Sequence, residues 1–305
     1  MAQAATLNAN SDALFGLAGR LNPFVRVGME HWRGPWFIEE RRLLDYLLVY
    51  ITAGTGRFSV GGETYEVVPG DLIWIPPDTL HEMRGHPSKM LVAYIHFDLV
   101  YDADRSPRVT ITPAGCRELG ALRKWLHPPW PWKPMAQWRG RLPVVNGPSV
   151  YALMKQVILE SLGVHHPLRA AGLTMQLLGE IDLGLSSAAT QAGAHWPALR
   201  RAAQQVVGQP DHELDLHALA HGAHLSLSHF RKLFRQTHGE SPRTMHARAR
   251  MQKACELVLH SGWSLTKVAA QLGFSTVHNF SRAFKREVGV PPRAYRQKIL
   301  SMRQM

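Results

Sequence analysis

Leu265-Thr266-Lys267-Val268-Ala269-Ala270-Gln271-Leu272-Gly273-Phe274-Ser275, continuing through Phe280-Ser281-Arg282-Ala283-Phe284-Lys285 to Gly289 and Pro292, decides the class of this chain because its pattern occurs twice. Leu216, Leu219, Ala220, Leu225-Ser226, Phe230, Phe234, Gly239 and Pro242 precede it in the same order. The offset between copies is 49 residues up to the serine and 50 after it. Each repeated feature has a physical task. The Leu-x-x-Leu/Val-Ala stripe buries one face of a first helix. Ser226 or Ser275 ends the turn and caps a second helix. The two Phe residues stand four apart, one helical turn, and anchor that second helix. Its outer face carries His229, Lys232 and Arg235 in the first copy, and His278, Ser281, Arg282 and Lys285 in the second. Two matched cationic faces point to helix-turn-helix units whose second helices enter the major groove of DNA. Solvated helical hairpins would explain the periodicity but not the matched charge.

Between the copies, Met251, Ala254, Leu257 and Val258 recur at helical spacing within Pro242 to His260. A helix of about eighteen residues makes a rod of roughly 27 Å. That length suits two reading helices about one DNA turn, ~34 Å, apart.

Charge distribution agrees. The chain has 305 residues and a formal net charge of +12. Residues 198–305 hold 17 Lys and Arg against 6 Asp and Glu, whereas the rest holds 18 against 17. An excess confined to one domain suggests a polyanion partner, since each cation at a phosphate releases counterions. Hydrophobic content of 45% excludes a disordered chain. The polar stretch Met1 to Asn22 and the lack of any long apolar run point to a cytoplasmic protein with no membrane partner. Cys116 and Cys255 fall in different expected domains, so a disulfide is not expected.

Upstream, Leu43 to Thr52, Arg57 to Val60, Thr64 to Val68, Asp71 to Ile75 and Met90 to Phe97 read as short strands separated by Gly and Pro turns. They predict a small barrel or sandwich. Pro113 to Leu126 reads as helix, and the Pro/Trp-rich stretch His127 to Pro148 as a loop packed on the barrel by its aromatics. Helices follow at Ser149 to Gly163 and Leu168 to Leu185; their apolar stripes suit either core packing or a dimer interface. The expected fold is α+β multidomain. Residues 1–112 would form a barrel, 113–186 central helices, 187–197 a linker, and 198–305 an all-α domain with two helix-turn-helix units and a linking helix.

The stretch from Ala269 to Pro292, with Arg250-x-x-x-Ala254 in the linking helix, resembles the DNA-binding domain of the AraC/XylS family. The resemblance covers roughly Ala198 to Gln297. It implies base contacts at Ser228, Arg231 and Lys232 in the first unit, and at Val277, His278, Ser281 and Arg282 in the second. Ser226, His229, Arg235, Ser275 and Lys285 complete the expected DNA-contacting set. One departure is His224, which stands where the family's first turn usually has Gly.

Pro69-Gly70-Asp71 and Pro76-Pro77-Asp78-Thr79-Leu80-His81 resemble parts of the second cupin motif, and Tyr94-Ile95-His96-Phe97-Asp98 resembles a stretch of AraC-type sensor domains. The strand Asp45 to Tyr50 lacks the His-x-His and Glu of metal-binding cupins, so the barrel resembles a cupin without metal. His217, His221 and His224 fall at i, i+4 and i+7 but read as the wet side of a helix. Neither metal nor other cofactor is expected. In the last barrel strand, Met90, Val92, Tyr94 and His96 share the mixed face expected to line a cavity. Arg41 (or Arg42), Trp74 and His81 are further candidates. Such a lining suits a sugar or related metabolite. The reading is a non-enzymatic, ligand-responsive transcription regulator, with double-stranded DNA, a small effector and, by resemblance, RNA polymerase as partners. A constitutive regulator whose barrel only dimerises and a cupin-type enzyme are the alternatives.

Overall fold

The computed structural model describes residues 19–85, 89–108, 111–130, 133–162, 167–188 and 195–302. Among the described residues, nine strands form the N-terminal part: β1 (Phe24–Arg33), β2 (Phe37–Arg41), β3 (Tyr46–Ala53), β4 (Gly56–Val60), β5 (Glu63–Val67), β6 (Leu72–Ile75), β7 (His81–Gly85), β8 (Met90–Asp98) and β9 (Gly140–Leu142). They make two antiparallel sheets, ordered β1-β8-β3-β6-β9 and β2-β7-β4-β5.

Both faces of the first sheet are covered, which is why β3 is apolar along nearly its whole length. Leu47, Val49, Ile73, Ile75 and Val92 turn inward to meet Phe58, Val60 and Met83 of the second sheet. Leu48, Tyr50, Trp74, Ile95 and Phe97 turn outward. They meet Trp130, Trp138 and two helices that follow α1 (Lys133–Ala136), namely α2 (Gly147–Leu162) and α3 (Pro167–Ala188). The Pro/Trp-rich stretch therefore packs as expected through Trp130 and Trp138; Trp132 lies outside the described residues.

Three expectations need correction. Pro113 to Leu126 forms only a 3₁₀ turn at Gly120–Trp125, none of whose residues is buried; Leu119, just before it, is the buried residue of the stretch. The stretch expected as loop contains α1 and β9. Strands β1, β2 and β7 escape a hydrophobicity reading because charges interrupt them. Arg26 of β1, for example, is buried between Asp45, at 3.2 Å, and Asp98.

Among the described residues, seven helices make the C-terminal part: α4 (Trp196–Gly208), α5 (Leu216–Gly222), α6 (Leu227–His238), α7 (Pro242–His260), α8 (Leu265–Gln271), α9 (Val277–Val288) and α10 (Pro292–Met302). Two separate apolar clusters hold it together. Leu216, Leu219, Ala220, Phe230 and Phe234 gather with Leu199 of α4 and Met245 near the start of α7. Val268, Ala269, Phe280 and Phe284 gather with Met251, Ala254 and Val258 farther along α7. One helix thus supplies a wall to both repeats. Its far end is fixed by Arg296 of α10, which donates to the carbonyls of Val258 (2.7 Å) and Trp263 (2.8 Å).

The two parts meet at the β5–β6 turn. Val68 joins the first helical cluster, and Arg200 of α4 reaches back to Asp71 at 3.0 Å and to the Glu66 carbonyl. His238, the last residue of α6, donates through Nδ1 to the Pro69 carbonyl at 3.1 Å.

Candidate nucleic-acid interface and barrel cavity

In the first repeat α5 packs on α6, and Ser226 caps α6 by accepting from the His229 amide at 3.4 Å. In the second, α8 packs on α9, but the cap is Thr276, accepting from the Asn279 amide at 3.1 Å. Ser275 was expected to cap, and the structure corrects this. Residue 275 is the inserted position: 226 matches 276, and every later landmark keeps the 50-residue offset. Ser275 Oγ instead accepts from Asn279 Nδ2 at 3.0 Å. Both second helices end on a left-handed glycine, Gly239 (φ 79°) and Gly289 (φ 85°), whose amides donate back to Arg235 and Lys285.

The departure at His224 also has a geometric meaning. Its φ is +56°, and Gly273 at the matching place in the second turn has φ +69°. The first turn keeps its shape at a cost of about 1–2 kcal/mol for an L-residue in the left-handed region. Because α5 stops at Gly222, His224 does not continue the helical row of His217 and His221.

Ser228, His229, Arg231, Lys232 and Arg235 are exposed on α6, as are Ser275 before α9 and His278, Arg282 and Lys285 on it; Val277 and Ser281 are half-buried. The buried sides of the same helices are Phe230 with Phe234, and Phe280 with Phe284. Arg282 is held by Asn279, whose Oδ1 accepts from it at 2.6 Å. Arg250 of α7 donates to the Leu272 carbonyl at 2.6 Å and lies 4.3 Å over the Phe274 ring, tying the bar to the second turn. Of these, Thr276 and Asn279 were missed; the one-residue offset change was the signal.

Between the two sheets lies a cavity of about 200 Å³, lined among others by Arg33, Trp36, Arg41, Tyr94, His96 and Ile111. Of the residues expected there, Arg41, Tyr94 and His96 come together. Trp74 does not: it lies on the other sheet face, with ring centroids 5.3 Å from Tyr46 and from Trp138. Arg42 points away and donates to the Arg117 carbonyl at 2.9 Å. His81 stands behind Arg41. Its Nδ1 donates to the Thr79 carbonyl (3.1 Å) and its Nε2 accepts from Arg41 Nε (3.4 Å). Arg33 and Trp36 were missed because β1 and β2 were.

Burial pushes His81 down to about 4, so it is neutral near pH 7. Its folded value is below its unfolded value of 6.5, so protons favour the unfolded chain. Its share of stability is complete above about pH 6.5 and is lost as pH falls towards 4, at up to about 1.4 kcal/mol per pH unit. His238 is lowered by burial to about 4 and acts with the same sign. Urea unfolding at pH 7 and pH 5 measures this. The slope should flatten over that range in His81→Gln, and an unchanged slope would contradict the neutral, buried assignment.

A family model described as an AraC-like ligand binding domain matches residues 29–178, and one described as a helix-turn-helix domain matches residues 219–298. The chain belongs to the AraC/XylS family of transcriptional regulators. The chain is 34% identical over 105 residues to regulatory protein PocR of Salmonella typhimurium, covering 34% of this chain and 35% of PocR. It is 30% identical over 103 residues to the RCS-specific HTH-type transcriptional activator RclR of Escherichia coli, covering 34% and 36%. The chain thus spans about a third of these two relatives. With the MmsAB operon regulatory protein of Pseudomonas aeruginosa the identity is 25% over 268 residues, 84% of this chain and 76% of that one. Among the described residues, no helix is long and apolar enough to cross a membrane.

Proposed function

We propose that this AraC-type regulator is a cytoplasmic, sequence-specific activator that binds promoter DNA through α6 and α9 and responds to a small metabolite in the barrel cavity. The observation that carries the DNA reading is the pairing of two exposed cationic helices with one bar, α7, packed against both repeats. Arg231, Lys232 and Arg235 would serve one major-groove segment, and His278, Arg282 and Lys285 the next. The activator role rests on RclR, named an activator, and brings RNA polymerase in as partner. A homodimer is supported by the leucines that α2 and α3 leave exposed, Leu159 at 66%, Leu162 at 62%, Leu168 at 77% and Leu183 at 58%. The sugar suggested by an aromatic, hydrogen-bonding lining remains one effector class to test.

Selection of binding sites from random duplex DNA by the full-length protein tests the reading. Recovered sites should carry two short boxes about 10 bp apart, centre to centre. Recovery of no preferred sequence, with binding that only follows salt, would overturn it. Arg282→Ala should weaken the selected site by about 1–3 kcal/mol and relax base preference in one box only. Unchanged affinity would mean that α9 does not read bases through Arg282.

A further inference from the structure

Arg41 is 8% exposed, yet among the described residues no carboxylate forms an ion pair with it. Its recorded partners are the Thr112 carbonyl, at 2.9 Å, and His81. Burial is the largest influence on the guanidinium and disfavours its charge. Asp45 is the carboxylate that counters this at longer range, but its oxygens are engaged elsewhere: Arg26 is 3.2 Å from one and His96 Nδ1 3.2 Å from the other. A second cation, Arg33, lines the same cavity and repels Arg41. Arg33 lies 4.8 Å over the Trp36 ring and 5.5 Å over that of Tyr94. Among the described residues, two guanidiniums and no carboxylate therefore line a space of about 200 Å³.

Hydrogen-bonding capacity is unbalanced in the same direction. Among the described residues Arg33 Nε and Trp36 Nε1 are buried without a hydrogen-bond partner, and both are donors. The rest of the wall is largely apolar, including Ile38, Leu47, Val49 and Val92. A neutral sugar presents hydroxyls all round and would leave many of them facing hydrocarbon, at a penalty for each unpaired group. An ion with acceptors at one end and hydrocarbon at the other fits the asymmetry, because guanidinium and carboxylate match in planar geometry. The volume of about 200 Å³ equals roughly seven water-sized units at ~30 Å³ each, which limits the ligand to a small acid.

From this we infer that the effector of the barrel is a small monocarboxylate with a short hydrocarbon or aromatic body, its carboxylate held by Arg41 and Arg33 and its body between Trp36 and the aliphatic wall. The inference rests on the ligand-responsive reading above and names the ligand class of that site. The hydrocarbon would lie beside Val92 on the strand that also carries Tyr94 and His96, so ligand occupancy is felt by the sheet that packs against α2 and α3.

The test uses full-length protein and matched probes: propionate, butyrate, lactate and benzoate, the corresponding amides, inorganic phosphate, and arabinose, xylose and rhamnose. Melting temperature is read with each at millimolar concentration, since a ligand of the native state raises it. At least one acid should raise the melting temperature by several degrees while its amide and phosphate do not. Arg41→Gln should abolish that shift and Arg41→Lys should keep part of it. Far-ultraviolet circular dichroism confirms that each variant is folded, and Arg33→Gln gives an independent loss if Arg41→Gln fails to fold. Shifts by sugars alone, by an amide equal to its acid, or by none of the acids would each overturn the assignment. Binding to the selected DNA site is measured on the same samples, so a wrong ligand class is distinguished from a wrong regulator reading.

Discussion

Replacing Arg200 with Met is expected to destabilise the chain by about 3–5 kcal/mol, because it strands a buried carboxylate. Asp71 is 3% exposed and Arg200 8%, and they meet at 3.0 Å across the junction between the barrel and the helical part. Burial already pushes the Asp71 carboxyl up despite its partner. Without Arg200 the carboxylate would have to be protonated on folding. The penalty should therefore be largest near neutral pH and shrink as pH falls towards the unfolded value of about 4. Urea unfolding at pH 7 and pH 5 reads both the size and the sign. Adding Asp71→Asn to the Arg200→Met chain should recover much of the loss, since Asn can still accept from the Val68 amide, now 3.0 Å from Asp71. A loss below about 1 kcal/mol, the range of exposed pairs, would mean that the junction is wet and loosely held.

Phe284→Ala carries the second large effect. The ring is fully buried, with centroids 5.6 Å from Phe280 and 5.5 Å from Tyr295, so truncation opens a cavity between α9, α8 and α10. The expected cost is about 3–5 kcal/mol. The cluster around Phe230 and Phe234 is separate, so α6 should stay folded while α9 loosens. Specific DNA binding should fall by roughly a hundredfold or more, since one of the two helices proposed to read DNA is lost, while non-specific binding persists. Footprinting on the selected site should show protection of one box only. Loss of both boxes would show that the two repeats fold as one unit.

The candidate DNA surface was far more legible in the sequence than the cavity. Helix periodicity, capping residues and charge are local signals, and the duplication supplied each of them twice. Even the misassigned cap at Ser275 was a one-residue error at the point where the two copies differ in length. The cavity was harder because its walls come from distant strands. Arg33 and Arg41 are eight residues apart in the chain, on β1 and β2, which belong to different sheets. Trp74 and Tyr94 look alike as aromatic residues on apolar strands. Only the pairing of β3 with both β6 and β8 reveals that they face opposite sides.

By itself the sequence determined the helix-turn-helix repeat, the bar between its copies, the strand-rich N-terminal part and the concentration of positive charge, because each follows from short-range spacing along the chain. Only the tertiary structure decided which arginines are buried, that Arg26 and Arg200 find carboxylates while Arg41 finds none among the described residues, and that the β5–β6 turn is seated on α4 and α6. The reason is physical: the energy of a charge depends on the groups that surround it in space, and those groups come from residues far along the chain, as Asp71 lies 129 and Glu66 134 positions from Arg200.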